Sequence, residues 1–529
     1  MKKNIFIRTG AFAVLCLVVA QSCTKKLDLT PTNDVTSETV YATPAGYKQV
    51  LGKVYGSFAL TGNQGPAGNG DVQGIDEGFS DFYRLFWKAQ ELSTDEAVIS
   101  WGDVGIQDFH NMNWTSNNSF LTGLYYRSLY QITLCNDFIR ESSDEKLAAR
   151  NISGVDADNI HQYVREARFL RAFQYWVLMD LYGNPPFATE ATVIGGPPPP
   201  RATRNEIFNY IESELKAIES DMPAARTNEY GRADKAAVWA LLARMYLNAK
   251  VYTETARFTD AVTYSKKVID AGYTLISDYT WLMRADNHLN TSEFIFTINY
   301  DGLHTQGYGG TTFLTHACVG GSMPASAFGV GGGWSGTRTT KNLPLLFPDL
   351  TGTADKRSQF YTAGQNIEIG NLTSFVDGLA VTKFKNVKRD GNIGQSQDFA
   401  DVDMPLFRLP EMYLIYAEAF LEGGGGDATT AVGYINALRT RAYTNTSGNI
   451  SAGQLTRDFI LDERARELYW EGFRRTDLVR HNKFVESSYL WPWKGGVSSG
   501  TGVPAFRKIY PIPSRDINSN TNLIQNPGY

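Results

Sequence analysis

The stretch 231–272 constrains this chain of 529 residues more than any other. In its first half Ala236, Trp239, Leu242, Ala243, Tyr246 and Ala249 recur at steps of three and four, the spacing of one helix face. In its second half Ala261, Tyr264, Val268 and Ile269 repeat that spacing, and Gly272 follows as a stop. Bulky rings set a turn away from small alanines form the knob-and-hole pattern of tetratricopeptide-like helix pairs. A single pair is equally an ordinary buried helix hairpin. It leaves an apolar face uncovered, however, so the repeat reading predicts further pairs elsewhere in the chain.

Such pairs are found. A helix is predicted over 44–60, with Tyr47, Val50, Leu51, Val54, Tyr55 and Phe58 on one side, and a second over 119–140. A third covers 159–182 and is apolar nearly all round from Phe169 to Leu181, the mark of a helix buried on several sides. Pro185 and Pro186 end it, the run 197–200 is a stiff extended connector, and 206–218 returns as its partner. After the central pair the pattern changes. Residues 294–298 have the composition of a strand, 375–384 suggest another, and 301–336 is loop-like, punctuated by Gly309, Gly310, Gly320, Gly321, Gly329 and 331–333. A further helix pair is predicted at 405–421 and 428–442. A charged helix follows over 454–470, in which Glu463, Arg464, Arg466 and Glu467, with Arg474, Arg475 and Asp477, form ion pairs tying it to the body. The end, from Tyr510, is an extended tail. The fold class is therefore mainly α: helix pairs forming one scaffold at 41–529, with long loop-rich insertions, the largest at 273–404, and a few short strands.

The start of the chain carries an address. Lys2, Lys3 and Arg8 precede an apolar run at 11–20 that is too short to span a bilayer, as in a secretion signal. It closes on Ala20-Gln21-Ser22-Cys23, which resembles a bacterial lipoprotein signal, although Gln21 stands where a small residue is more usual. Residues 1–22 would be removed and Cys23 acylated, so the chain is expected to reach its membrane through a lipid anchor. The polar stretch 23–40 then serves as a tether, and no other segment is apolar enough to cross a bilayer. Of the remaining cysteines, Cys135 lies on a helix face and Cys318 in a Gly-rich loop, contexts that do not favour a bridge.

Catalytic chemistry finds no anchor. There is no Gly-x-Ser-x-Gly elbow, the six histidines lie at no metal-ligand spacing, and 329–333 is not followed by the Lys-Ser/Thr of a phosphate loop. The carboxylates Asp95-Glu96 and Asp401/Asp403 read as capping or solvated groups among 55 acids. A net charge of −5 without a basic stripe argues against nucleic acid. No catalytic residue, cofactor or metal is expected. What remains is binding. Arg84, Trp101, Tyr308 and Trp334 sit in or beside polar or Gly-rich loops. Rings stack on the apolar faces of sugars, while Asp, Asn and Arg bond their hydroxyls; plain loop-anchoring aromatics are the competing reading. Repeat scaffolds also grip peptides, which keeps a peptide-binding alternative open.

Three motifs carry a resemblance. Glu463-Arg464-Ala465-Arg466-Glu467-Leu468 with 471–478, Leu406-Phe407-Arg408-Leu409-Pro410-Glu411 continuing to Ala419, and the tail Pro511-Ile512-Pro513 with 525–529 are similar to the SusD/RagB family, surface lipoproteins of Bacteroidota. Asp76-Glu77-Gly78, Phe82-Tyr83-Arg84, 91–96, Tyr308-Gly309-Gly310-Thr311 and Gly333-Trp334-Ser335 resemble loops of its starch-binding members. The resemblance implies an all-helical fold with tetratricopeptide-like pairs and no enzyme activity. It also implies an outer-membrane, cell-surface location and docking on a SusC-like TonB-dependent porin. For the site it implies an aromatic arc for starch or α-glucan oligosaccharides made by Trp101, Tyr308 and Trp334, with Asp76 and Arg84 as polar contacts. The loop after the first ring reads Gly102-Asp103-Val104-Gly105, one residue short of the family pattern, so Asp103 takes the place of an expected Asn, and Ile99 stands where a second Trp is usual.

Overall fold

The structure is a computed structural model that describes residues 36–529. The signal at 1–22, Cys23 and the tether as far as residue 35 lie outside the described residues. The tether's last residues are not extended: Ser37–Val40 forms one helical turn.

The longer helices, in chain order, are α1 (Pro44–Gly56), α2 (Phe82–Glu91), α3 (Ser119–Glu141), α4 (Val155–Tyr182), α5 (Arg204–Glu219), α6 (Lys235–Leu247), α7 (Phe258–Asp270), α8 (Gly310–Ala317), α9 (Leu409–Leu421), α10 (Ala428–Tyr443), α11 (Arg457–Leu468) and α12 (Arg474–Arg480). Their starts are written locally. Thr43 caps α1 ahead of Pro44, Thr203 and Glu206 form a capping box on α5, and Asp234 accepts from the Ala236 and Ala237 N–H groups of α6. Each side-chain oxygen occupies an N–H group that the first helical turn would otherwise leave without an acceptor.

Helices that follow one another pack together: α3 on α4, α4 on α5, and α6 on α7. The stack then jumps in sequence, because α7 packs on α9, and α9 on α10 and α11. Residues 273–404 therefore leave the helical stack between two adjacent layers and return to it. One connected core runs from Tyr41 to Leu523, with a smaller cluster of Leu414, Ile435, Leu438 and Ile460 among α9, α10 and α11.

The structure corrects the sequence reading at several points. The central pair is interrupted by a short helix, Ala249–Thr253, and Trp239 sits half-exposed, donating its indole N–H to Glu219 at 2.8 Å rather than acting as a buried knob. The predicted helix at 405–421 begins as a strand. Of the six short strands among the described residues, β1 (Val98–Ile99), β2 (Phe294–Ile298), β3 (Thr337–Arg338), β4 (Phe360–Tyr361), β5 (Ala380–Val381) and β6 (Met404–Arg408), the last pairs antiparallel with β2 in a fully buried ribbon. Pro405 tolerates this because the ribbon is only two strands wide and Pro410, at the start of α9, opens the helix instead. Of the strand predicted at 375–384, 380–381 pairs with β4, and Asp377 and Leu379 form single bridges to Asn366 and Thr339. The stretch 301–336 is not all loop, since it contains α8, whose positions are all buried.

The charged helix α11 is tied in as expected, but deep inside. Arg408 on β6 bonds Glu467 at 2.7 Å, Glu471 at 2.7 Å and Glu293 at 3.1 Å. Arg441 reaches Glu293 and Glu467, Arg357 reaches Asp355 and Glu463, and Lys383 reaches Glu471. All these groups are buried, so each charge is tolerable only because opposite charges surround it. The network stitches the insertion (Glu293, Arg357, Lys383) to the last helices. The tail does similar work at α4, whose final carbonyls at Leu181 and Tyr182 accept from the Tyr510 N–H and Asn526 Nδ2, each at 2.8 Å. Cys135 and Cys318 are both buried and unbridged.

Candidate functional site

Three remote segments build the site: 76–84, 98–103 and 308–336. The first is held by Asp81, the N-cap of α2, whose Oδ1 accepts the Arg84 N–H at 2.9 Å. The same oxygen accepts the Gly310 N–H at 2.8 Å, so one carboxylate caps both α2 and α8. A Cβ on Gly309 would lie 2.0 Å from the Asp81 Cβ, which makes glycine obligatory at this crossing. Burial pushes the Asp81 carboxyl up to about 6, against the opposing pull of its two backbone donors.

Arg84 projects from α2 beneath the rings. Its Nη1 donates to the Gly78 carbonyl at 2.9 Å and the Tyr308 carbonyl at 2.7 Å. Its guanidinium carbon lies 4.8 Å from the ring centre of Phe313, 5.5 Å from Trp101 and 5.9 Å from Trp334. The expectation of a polar contact at the rim is thus altered: Arg84 is buried and forms the floor that the aromatic rings rest on. Burial lowers its pKa to about 10, which still leaves it charged at neutral pH. One turn on, Lys88 lies 3.9 Å from the centre of Phe120, and burial, with the like charge of Arg84, pushes its amine well below the ordinary range.

The second segment is placed by β1, which pairs antiparallel with β3 in the register Val98↔Arg338 and Ile99↔Thr337. The pairing continues as the Ser100 N–H donates to the Gly336 carbonyl at 2.9 Å, and the Trp101 indole N–H donates to the Trp334 carbonyl at 3.0 Å. A Cβ on Gly336 would sit 2.6 Å from the Trp101 ring, so this glycine makes room for it. Residues 334–336 in turn complete the end of α8. The Trp334 N–H donates to the His316 carbonyl at 2.9 Å and the Gly336 N–H to Ala317 at 2.7 Å, using carbonyls that a helix end leaves free.

The outcome is an arc. Trp101 and Trp334 have ring centres 6.4 Å apart with planes 44° from parallel, and Tyr308 and Trp334 are 6.3 Å apart at 61°. Trp101 and Trp334 are half-buried and Tyr308 is 36% exposed, so each ring is held by the protein yet keeps part of its surface open to solvent. Phe399 supports Tyr308 from 5.6 Å, and His316 lies under Trp334. Asp76 is exposed and caps its own turn, accepting the Gly78 N–H at 2.7 Å; a Cβ on Gly78 would lie 3.8 Å from the Tyr308 ring, so this turn abuts the arc. Asp103 is exposed, and its charge acts on both Arg84 and Lys88. Ile99 is buried in β1 and takes no part in the exposed surface. Asp81, Lys88, Phe313 and His316 were not singled out in the sequence. An Asp directly ahead of Phe82-Tyr83-Arg84 is a helix-start signal that points to Asp81, whereas α8 lies in a stretch whose glycines conceal it.

Tilted rings with acids at the rim and a cation below suit a ligand with apolar faces and hydroxyl edges. The comparisons agree with that chemistry. The profile described as "SusD family" matches residues 354–529, and that described as "Starch-binding associating with outer membrane" matches residues 80–247. Starch-binding protein SusD of Bacteroides thetaiotaomicron is 35% identical, with 100% of both chains covered. A SusD-like protein of Formosa agariphila is 27% identical over 73% of this chain and 78% of its own. Among solved structures, surface glycan-binding protein A from Bacteroides thetaiotaomicron in complex with laminarihexaose superposes with a TM-score of 0.69 at 21% identity, covering 91% of this chain and 99% of that one. A SusD superfamily protein from Parabacteroides distasonis gives 0.70 at 20% identity over 94% and 100%. These two likenesses establish the fold. The full-length identity goes further, and this chain belongs to the SusD/RagB family.

Proposed function

We propose that this protein is a non-enzymatic, cell-surface glycan binder that captures starch or α-glucan oligosaccharides on the Trp101–Trp334–Tyr308 arc. In this reading Asp76 and Asp103 accept from sugar hydroxyls at the rim, and Arg84 stiffens the floor. The observation that carries the reading is the tilt between rings, 44° and then 61°. A flat ribbon-like glycan asks for near-coplanar rings, whereas a glucan that curves from one sugar to the next meets a surface that turns with it. Identity with a starch-binding relative supports the same choice. The cargo passes on to a SusC-like TonB-dependent porin, and the chain is held at the outer membrane by acylated Cys23. Ring stacking contributes about 0.5–1.5 kcal/mol per ring beyond area terms, so a shallow three-ring site should bind with a Kd of roughly 0.1–1 mM, suited to release.

Calorimetric titration with maltoheptaose, laminarihexaose and cellohexaose tests the reading. Heat with maltoheptaose and little with cellohexaose is expected. A clear preference for laminarihexaose, the ligand held by one structural neighbour, would instead assign the arc to a β-glucan.

A further inference from the structure

We propose that Asp81 is the positioning residue of this site, the group that sets the gap between the Arg84 floor and the Tyr308 ring and so tunes how well the arc fits a glycan. The inference rests on the glycan reading above. The 76–84 segment and the 308–310 segment meet through two rungs. In one, the Gly310 N–H donates to Asp81 Oδ1 at 2.8 Å; in the other, Arg84 Nη1 donates to the Tyr308 carbonyl at 2.7 Å. Both rungs depend on Asp81, because the same Oδ1 accepts the Arg84 N–H and sets where that side chain leaves α2.

Apart from the Phe399 ring that packs on Tyr308 at 5.6 Å, the Tyr308 side has no anchor of its own beside the ring. Tyr308 is followed by two glycines that carry no side chain to lodge in a pocket. A Cβ on Gly309 would strike Asp81 at 2.0 Å, and one on Gly310, at φ +51°, would strike the Tyr300 ring at 2.2 Å. A glycine pair is the loosest hinge a backbone offers, so its N–H anchor, together with the Phe399 contact, sets where the preceding ring points. Asp81 is buried to 1% exposure, and its Oδ2 accepts from no protein donor among the described residues. A helix cap needs only an oxygen on its own helix. This carboxyl lies at the crossing of two helix starts, and of its two oxygens only the one that joins them is in use.

The test compares D81A, which removes the acceptor, with D81N, which keeps a carbonyl oxygen in place, in the full chain. Two readouts are taken: maltoheptaose affinity by calorimetry, and amide hydrogen exchange over 306–314 without glycan. D81A is expected to weaken binding by about tenfold and to speed exchange at Gly310 by at least that factor, while D81N stays within about threefold of the parent in both. D81S, which restores a cap on α2, stands in if D81A does not fold. Parental affinity in D81A, or equal losses in D81N and D81A, would overturn the inference while leaving the glycan reading intact. If the parent chain binds no glucan, that reading falls, and unchanged exchange over 306–314 in D81A would overturn the positioning role by itself.

Discussion

The His316 ring lies under Trp334, with centres 4.8 Å apart and planes 29° from parallel. Its two ring nitrogens lie 3.0 Å from the Thr312 and Gln397 carbonyls, and the one N–H of the neutral ring donates to one of them, which pins the ring in place. One face of Trp334 is therefore packed on the protein, which is the arrangement of a rigid platform rather than a loose loop residue. Burial holds the imidazole below its ordinary pKa.

The middle ring of the arc should matter most, since Trp334 touches both neighbours. Trp334→Ala should weaken oligosaccharide binding by about tenfold, roughly 1.4 kcal/mol, and Tyr308→Ala by less. Gly336→Ala should mimic the loss of Trp101 by driving its ring from a contact of 2.6 Å. Calorimetry on each variant checks the order, with thermal melting to verify folding.

Arg408→Met should be among the most damaging single changes outside the arc. It leaves Glu293, Glu467 and Glu471 buried with fewer positive partners. The expected cost is about 3–5 kcal/mol, seen as a lowered urea midpoint.

Stability should respond to pH through Glu96. Burial raises its carboxyl from the ordinary 4.5 to about 8, beside the similarly raised Glu91. The folded state keeps a proton that the unfolded chain releases near 4.5. The stabilisation is fully present below that pH, declines as pH rises, and is gone above about 8. Glu96→Gln, which keeps a neutral group of the same shape, should flatten the fall in melting temperature between pH 5 and about 9.

Thiol titration should report on both the core and the anchor. Burial pushes Cys135 and Cys318 up to about 12, so neither should react with a disulfide reagent in the native protein. After denaturation, a processed chain acylated at Cys23 should show two reactive thiols. Three would mean that Cys23 is not acylated, and all four that the leader remains.

Much of the scaffold was legible because helix periodicity is a local property. Phe169 to Leu181 could be recognised as a buried helix, and the ring-and-alanine spacing of α6 and α7 as a repeat pair, since side chains three and four apart share a face whatever lies around them. The early segment of β6 was misjudged because Leu406 and Phe407 fit either period, and only pairing with β2 decides between them. Helix α8 was missed because glycines flank it and its cap, Asp81, is contributed from 229 residues away.

By itself, the sequence determined the helical scaffold, the family, and which rings were free of that scaffold, because spacing and motif are carried along the chain. Tertiary structure alone decided that Trp101, Trp334 and Tyr308 lie within 6.4 Å of their neighbours and that Arg84 sits under them. Those relations rest on β1 meeting β3 and on Asp81 meeting Gly310, contacts between residues more than two hundred positions apart. No local preference encodes such contacts; they form only when the whole core closes around them.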